Sequence, residues 1–417
     1  MAPPRRDGPA GCPGAGAPGE ELVARSVAEI DELDRLFADA LPAFGGAGLR
    51  RVWLLLDEAI GRGIPMALAV AGPVTLSGQA RAWMNPLLDT GWFLLVSTTD
   101  AVCYHDGHRA LDDAREYPFF HVDIHGNDGA LRDERTIRVT DVGFSEDVLL
   151  AQDRVLRDFL RRPELQRRMS GTEFRYLLGR FYAEEERRNG VPEGLLALCH
   201  RKAIPIFVGA PADGSVFLNS FYLWAMQEAF GDPHRFELDL HREVFESCAI
   251  HRWGVKESAA GALGTLILGG GVPKNFNLQP EPTLSQILGF PDVPGYLYDI
   301  QITTAPVTDG SLSSCPPAEA VTWGKVDKDA YRSTCASLQA DYSMLMPFLA
   351  KALLVKRARF AAWEERMGHE ALVAKHPSAA GYLRQTAGYR LMDRREELVG
   401  NLLREIRGRE QELRRTL

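Results

Sequence analysis

The sequence predicts an α/β fold built on an open, mostly parallel sheet. Three features carry that expectation: six short apolar runs, helical stretches between them, and small, hydroxylated or acidic residues just after the runs. The runs are Pro65–Ala71, Trp92–Val96, Ile204–Val208, Thr265–Leu268, Tyr298–Thr303 and Thr334–Leu338. Runs this short, apolar on both faces, suit strands covered by helices on both sides. At 417 residues, 45% hydrophobic and 25% charged, the chain has globular composition and can bury a sizeable core.

The elements follow in order. Residues 1–20 hold five Pro and five Gly and cannot bury enough apolar surface to offset their ordering entropy, so a disordered tail is expected. Leu22, Val23, Val27, Ile30, Leu33 and Leu36 recur at helical spacing and predict a helix over Glu21–Ala40, with a second over Leu49–Arg62. Ser145 is a candidate N-cap for a helix through Leu160, whose Leu149, Leu156, Phe159 and Leu160 share a face. From Pro347 onward the chain reads as helical, with Leu398, Leu402 and Ile406 on one stripe among Arg and Glu. The expected organisation is a tail over 1–20, a main α/β domain over 21–360 and a helical C-terminal extension over 361–417.

Charge and cysteine usage narrow the function classes. Lys and Arg number 48 against 56 Asp and Glu, a formal charge of −8, which disfavours nucleic acid and favours cationic ligands. The six cysteines form no CxxC pair and no zinc spacing with histidine, as in a reducing cytoplasm. No apolar run approaches the roughly 18 residues that span a bilayer, so no membrane role is expected. His121, Asp123 and His125 alternate and would share one face of a strand, with His105 and His108 nearby. Loose histidine clusters of this kind are common on sheet edges, and no metal is expected.

In open parallel sheets ligands bind beyond the carboxyl ends of the strands. Gly72, Thr75, Ser77 and Gly78 follow the first run; Ser97, Thr98, Thr99 and Asp100 follow the second; Asp213, Gly214 and Ser215 follow the third. The fourth ends in Gly269, Gly270 and Gly271, which could expose backbone N–H groups to phosphate but more often mark only a tight strand exit. After the fifth, a helical turn from Glu319 to Trp323 would place carboxylate and indole on one face, with Lys325 just beyond a glycine. A lysine becomes a nucleophile only when neutral, and desolvation beside an aromatic wall favours that form. For an arbitrary Glu-Trp-Lys cluster, a surface lysine paired with Glu319 is the more common arrangement.

The surrounding residues resemble the deoxyhypusine synthase family. Its closing signature is present from Glu319 to Lys325, and three blocks agree in order and spacing: Ala212-Asp213-Gly214-Ser215, Leu268 to Phe276, and Asp341-Tyr342-Ser343. The resemblance covers roughly residues 50 to 360. It implies a homotetramer of NAD-binding α/β subunits with sites at subunit interfaces, and a lysine that carries the substrate's butylamine fragment as an imine. By this matching Lys325 takes the lysine's place. Ser77, Thr98, Asp213, Gly270, Gly271, Ser313, Asp341 and Ser343 fall where the family contacts NAD, and Glu319 and Trp323 where it holds the amine.

The chain also departs from the family branch that modifies a protein lysine. Acidic residues that hold spermidine there are replaced by Leu218 and Leu312, and a histidine by Asn275. The wording Pro273-Lys274-Asn275-Phe276 is similar to the bacterial branch, which includes enzymes joining small diamines or agmatine-type guanidines. The resemblance therefore implies NAD-dependent transfer of a four-carbon aminoalkyl group from a polyamine to an amine acceptor, a small amine being favoured as in homospermidine synthesis. Transfer from spermidine to a protein lysine, an inactive NAD-binding regulator, and an NAD-consuming enzyme stay open at this point.

Overall fold

The computed structural model describes residues 22–111, 118–384 and 387–415. The expected tail over 1–20 lies outside the described residues. The fold is α/β, with six principal strands: β1 (Met66–Val70), β2 (Phe93–Thr98), β3 (Ile206–Val208), β4 (Gly264–Leu268), β5 (Tyr298–Thr303) and β6 (Cys335–Gln339). Each overlaps one of the apolar runs. The chain forms two compact units, Met1–Met66 with Gly254–Gly269 and Glu281–Arg384, and Ala67–Trp253 with Gly270–Pro280 and Gln385–Leu417.

In the first unit the strands lie in the order β6-β5-β4, all parallel, with Tyr298 opposite Gly264 and Asp299 opposite Cys335. Every residue of β4 and β5 is buried, while β6 is an edge strand with a single buried residue, Leu338. The helix Phe44–Gly61 buries Val52, Leu55, Leu56 and Ala59 and packs on β6 and β5. Asp57 on this helix accepts from Lys356 Nζ at 2.7 Å and from the hydroxyl of Tyr382, tying the helix to the Tyr342–Met367 helix and to the short helix Ala379–Tyr382. Thr334 closes a short helical turn, Tyr331–Thr334, so β6 begins one residue later than the apolar run.

One expected helix is corrected. Glu21 lies outside the described residues, and over 22–40 the chain forms only a single 3-10 turn, Val27–Glu29, and a short helix, Leu33–Asp39. Ser26 caps the turn, accepting from Ala28 N, and Ile30 then takes extended backbone (φ −114, ψ 107), which interrupts the helical ladder. Leu22, Val23 and Val27 are exposed, so among the described residues the apolar spacing there has no surface to bury against.

The second unit holds the order β1-β2-β3, with β2 and β3 parallel and Val96 opposite Ile206. All three strands are buried throughout. Ser145 caps the helix Glu146–Leu160 by accepting from Asp147 N, and Val148, Leu156, Phe159 and Leu160 are buried. Leu149 is half-buried, one position off the buried stripe. The C-terminal helix Arg395–Gly408 buries Leu398, Val399 and Leu402 and is held by the ion pairs Arg252–Glu405 and Arg242–Glu396, at 2.8 and 2.7 Å. An antiparallel sheet of Phe120–His121, Val142–Ser145 and Thr136–Val139 also belongs here. Among the described residues no helix is long and apolar enough to cross a membrane.

Candidate functional site

The lysine segment lies in the first unit. Pro316 caps a short helix, Pro317–Val321, that ends in paired bonds: Lys325 N donates to Ala320 O and Gly324 N to Val321 O. This is a Schellman termination, whose penultimate residue must be left-handed. Gly324 fills that position at φ +78. A side chain there would also meet Glu281, whose Oε2 lies 2.5 Å from where the Cβ would stand. Beyond the turn, Tyr296 N donates to Lys325 O at 2.9 Å and Val326 bridges Tyr296, so the lysine's backbone is fixed on both sides.

The side chain of Lys325 is half-buried, and its Nζ lies 5.7 Å from the centroid of the Trp323 indole, within cation–π range. Burial lowers its pKa from the ordinary 10.5, opposed by the nearby Cys315 and Glu281. Glu319 and Trp323 are both exposed, four residues apart on the turn, so an ammonium arriving from solvent would meet a carboxylate and an indole together. The carboxylate whose charge bears on Lys325 is Glu281.

Glu281 was not singled out from the sequence. It sits between Pro280 and Pro282, no motif marks it, and only the tertiary fold brings it beneath Gly324. It is about 5% exposed, and Oε2 has no hydrogen-bond partner among the described residues. Burial raises its pKa from the ordinary 4.5, opposed by a hydrogen bond with Ser285 and by the charge of Lys325.

Three more sequence-predicted residues lie in the first unit. Ser313 is half-buried in the loop after β5, where Asp309 accepts from Ser311 N at 2.7 Å. Asp341 caps the helix Tyr342–Met367 by accepting from Ser343 N at 2.8 Å, which commits one carboxylate oxygen to the backbone.

The second unit holds the others. Gly270 caps the helix Gly271–Leu278 at φ +64, and a Cβ on it would lie 2.1 Å from Ala71 Cβ. The strand exit therefore requires glycine, and the first-turn N–H groups of the following helix have no intrahelical acceptor, which is the arrangement that receives phosphate. This cradle fits the pyrophosphate of a dinucleotide. Asn275 is half-buried on the same helix. Thr98 is fully buried in β2 and donates to Val70 O at 2.8 Å; Ser77 is exposed and donates to Val74 O. Asp213 is exposed at the end of the turn Pro211–Asp213. Behind it, Asp100 accepts from Val216 N at 2.8 Å, and burial pushes its carboxyl up to about 6.

The alternating histidine pattern does not form a strand face. The strand ends at His121, Val122 N bonds to Asp141 O, and Asp123 accepts from His125 N in a turn. His105 and His108 pack ring to ring with Nδ1 atoms 3.3 Å apart, and burial lowers their pKa values to about 4 and about 2. Among the described residues no group of three or more His, Cys, Asp or Glu is placed to hold a metal ion.

Residues 37–353 match the family model described as deoxyhypusine synthase. A deoxyhypusine synthase-like protein of Nostoc punctiforme is 32% identical over 336 residues, 80% of this chain and 82% of that one. A protein of the same description from Thermosynechococcus vestitus is 35% identical, covering 78% of both chains. A probable deoxyhypusine synthase 2 of Methanosarcina mazei is 33% identical over 69% of this chain and 75% of its own. The match to the family model takes in both the glycine cradle and the lysine turn, and the chain belongs to the deoxyhypusine synthase family.

Proposed function

We propose that the chain is an NAD-dependent transferase that moves a four-carbon aminoalkyl group from a polyamine to an amine acceptor through an imine on Lys325. The observation that carries the reading is the half-buried Lys325 Nζ, held below its ordinary pKa and 5.7 Å from the Trp323 ring. A neutral Nζ can attack the electrophilic carbon of an oxidised amine and expel the donor amine; a second amine then displaces the lysine. Glu319 pairs with the distal ammonium of the substrate, and Trp323 supplies an aromatic wall. Asn275 is assigned to the substrate as a neutral polar contact.

NAD, when bound, accepts a hydride from the amine-bearing carbon and later returns it, so no net redox change results. Gly270 and Gly271 would hold its phosphates through backbone N–H groups, with Ser77, Thr98, Asp213, Ser313, Asp341 and Ser343 as further contacts. The partners are small cationic amines of the polyamine or agmatine type, in a homotetramer acting in the cytoplasm. A small acceptor is favoured because Leu218 and Leu312 offer no carboxylate for a longer polycation, and both are exposed.

The test incubates the protein with NAD and spermidine, putrescine or agmatine, adds borohydride, and reads the Lys325 peptide by mass spectrometry. A reduced adduct whose mass matches the transferred fragment is expected, absent in Lys325→Ala. Failure of every amine to leave an adduct, with NAD still bound by calorimetry, would instead make this a cofactor-binding protein without turnover.

A further inference from the structure

Resting on the transferase reading above, we infer that Glu281 is the proton-exchange partner of Lys325: its carboxylate takes a proton from the ε-ammonium before attack and returns it when the lysine is displaced. In the forward step one N–H bond of Lys325 breaks and one O–H bond forms on Glu281, leaving a neutral amine and a neutral acid. On release the O–H proton returns to Nζ, and no electrons leave the pair.

Three observations point to this residue. Glu281 Oε2 is buried and has no hydrogen-bond partner among the described residues, a costly state for a carboxylate unless a proton or a cation answers it. The oxygen lies against Gly324, the residue preceding Lys325, and only the missing side chain leaves room for it. Glu281 and Lys325 also act on each other electrostatically.

Burial moves the two groups toward one another, raising the acid from 4.5 and lowering the amine from 10.5, so a transfer that is strongly one-sided in water becomes closer to balanced. The other groups bearing on the pair are Ser285, bonded to Glu281, and Cys315, beside Lys325. Glu319 is exposed and is assigned to the substrate ammonium, whereas Glu281 is the buried carboxylate against the Gly324 turn.

The experiment compares the full-length protein with Glu281→Gln and Glu281→Asp by two readouts. The first needs no substrate: reductive methylation of Lys325 by formaldehyde across pH, followed by peptide mass spectrometry. The second is the borohydride-trapped adduct formed with NAD and amine. Removing the carboxylate charge should shift the methylation midpoint of Lys325 to lower pH, making the lysine more reactive toward formaldehyde near neutrality. In the same variant the rate of adduct formation should fall by about 100-fold, with Glu281→Asp in between.

A merely structural role would expose Lys325 and raise its methylation midpoint while adduct formation and thermal stability fall, and that result overturns the proposal. So does adduct formation within about twofold of the parent. If the parent forms no adduct, the transferase reading fails by itself. An unmoved methylation midpoint in Glu281→Gln would then separately overturn the Glu281–Lys325 link, and a lowered midpoint would sustain it.

Discussion

The Nζ of Lys325 stands 5.7 Å from the centroid of the Trp323 indole, although a left-handed glycine separates the two residues along the chain. The reversal at Gly324 is what returns the lysine over the ring. The indole is the aromatic wall beside Lys325, and it can be removed without touching the lysine.

Trp323→Ala should let water reach Lys325 and return its pKa toward 10.5. The neutral fraction near pH 7 falls about tenfold for each unit recovered, so the trapped adduct should fall with it and its pH midpoint should rise. Trp323→Phe should retain part of the effect. A pH profile of adduct formation in the three proteins checks this.

Gly324→Ala places a Cβ at φ +78 and 2.5 Å from Glu281 Oε2. The left-handed backbone alone costs about 1–2 kcal/mol. Urea denaturation should show at least that loss, accompanied by weaker lysine trapping because the Schellman turn aims Lys325.

Gly270→Ala puts a side chain at φ +64, ψ 122, outside the left-handed helical region, with an overlap at 2.1 Å on Ala71, whereas Gly190 is left-handed at φ +65, ψ 27 with open space around it. Calorimetry should show NAD binding lost in Gly270→Ala and kept in Gly190→Ala. Equal effects from both would place the dinucleotide away from the glycine cradle.

Asp100 has its carboxyl raised from 3.8 to about 6 by burial. Between those values the folded chain holds more protons than the unfolded one, so stability falls as pH rises through the window. Asp100→Asn removes the titration while keeping an oxygen for Val216 N. Relative to the variant, the parent should lose roughly 2 kcal/mol between pH 4 and pH 7, at about 1.4 kcal/mol per unit. Melting curves across that range measure it.

The helix Glu146–Leu160 was legible because its cap and its apolar face agree: Ser145 binds Asp147 N, and Leu156, Phe159 and Leu160 are buried. The segment 22–40 departs from the expected helix because apolar spacing alone carries no statement about a partner surface, and Leu22, Val23 and Val27 are exposed. The same limit applies to His121, Asp123 and His125, whose alternation requires a strand that the turn at Asp123 ends. At the candidate site the Glu319–Lys325 motif was visible as a word, but Glu281 was not.

The sequence by itself determined the α/β class, the places of the six strands and the family, because apolar run length, glycine and signature residues are local quantities. Tertiary structure alone decided which carboxylate lies against the Gly324 turn and how far the amine is sheltered from water. Those depend on what packs across the Gly324 turn, and Glu281 lies 44 positions from Lys325 along the chain while its Oε2 lies against Gly324 in space. Proton affinity follows spatial neighbours and desolvation, so no reading of adjacent residues contains it.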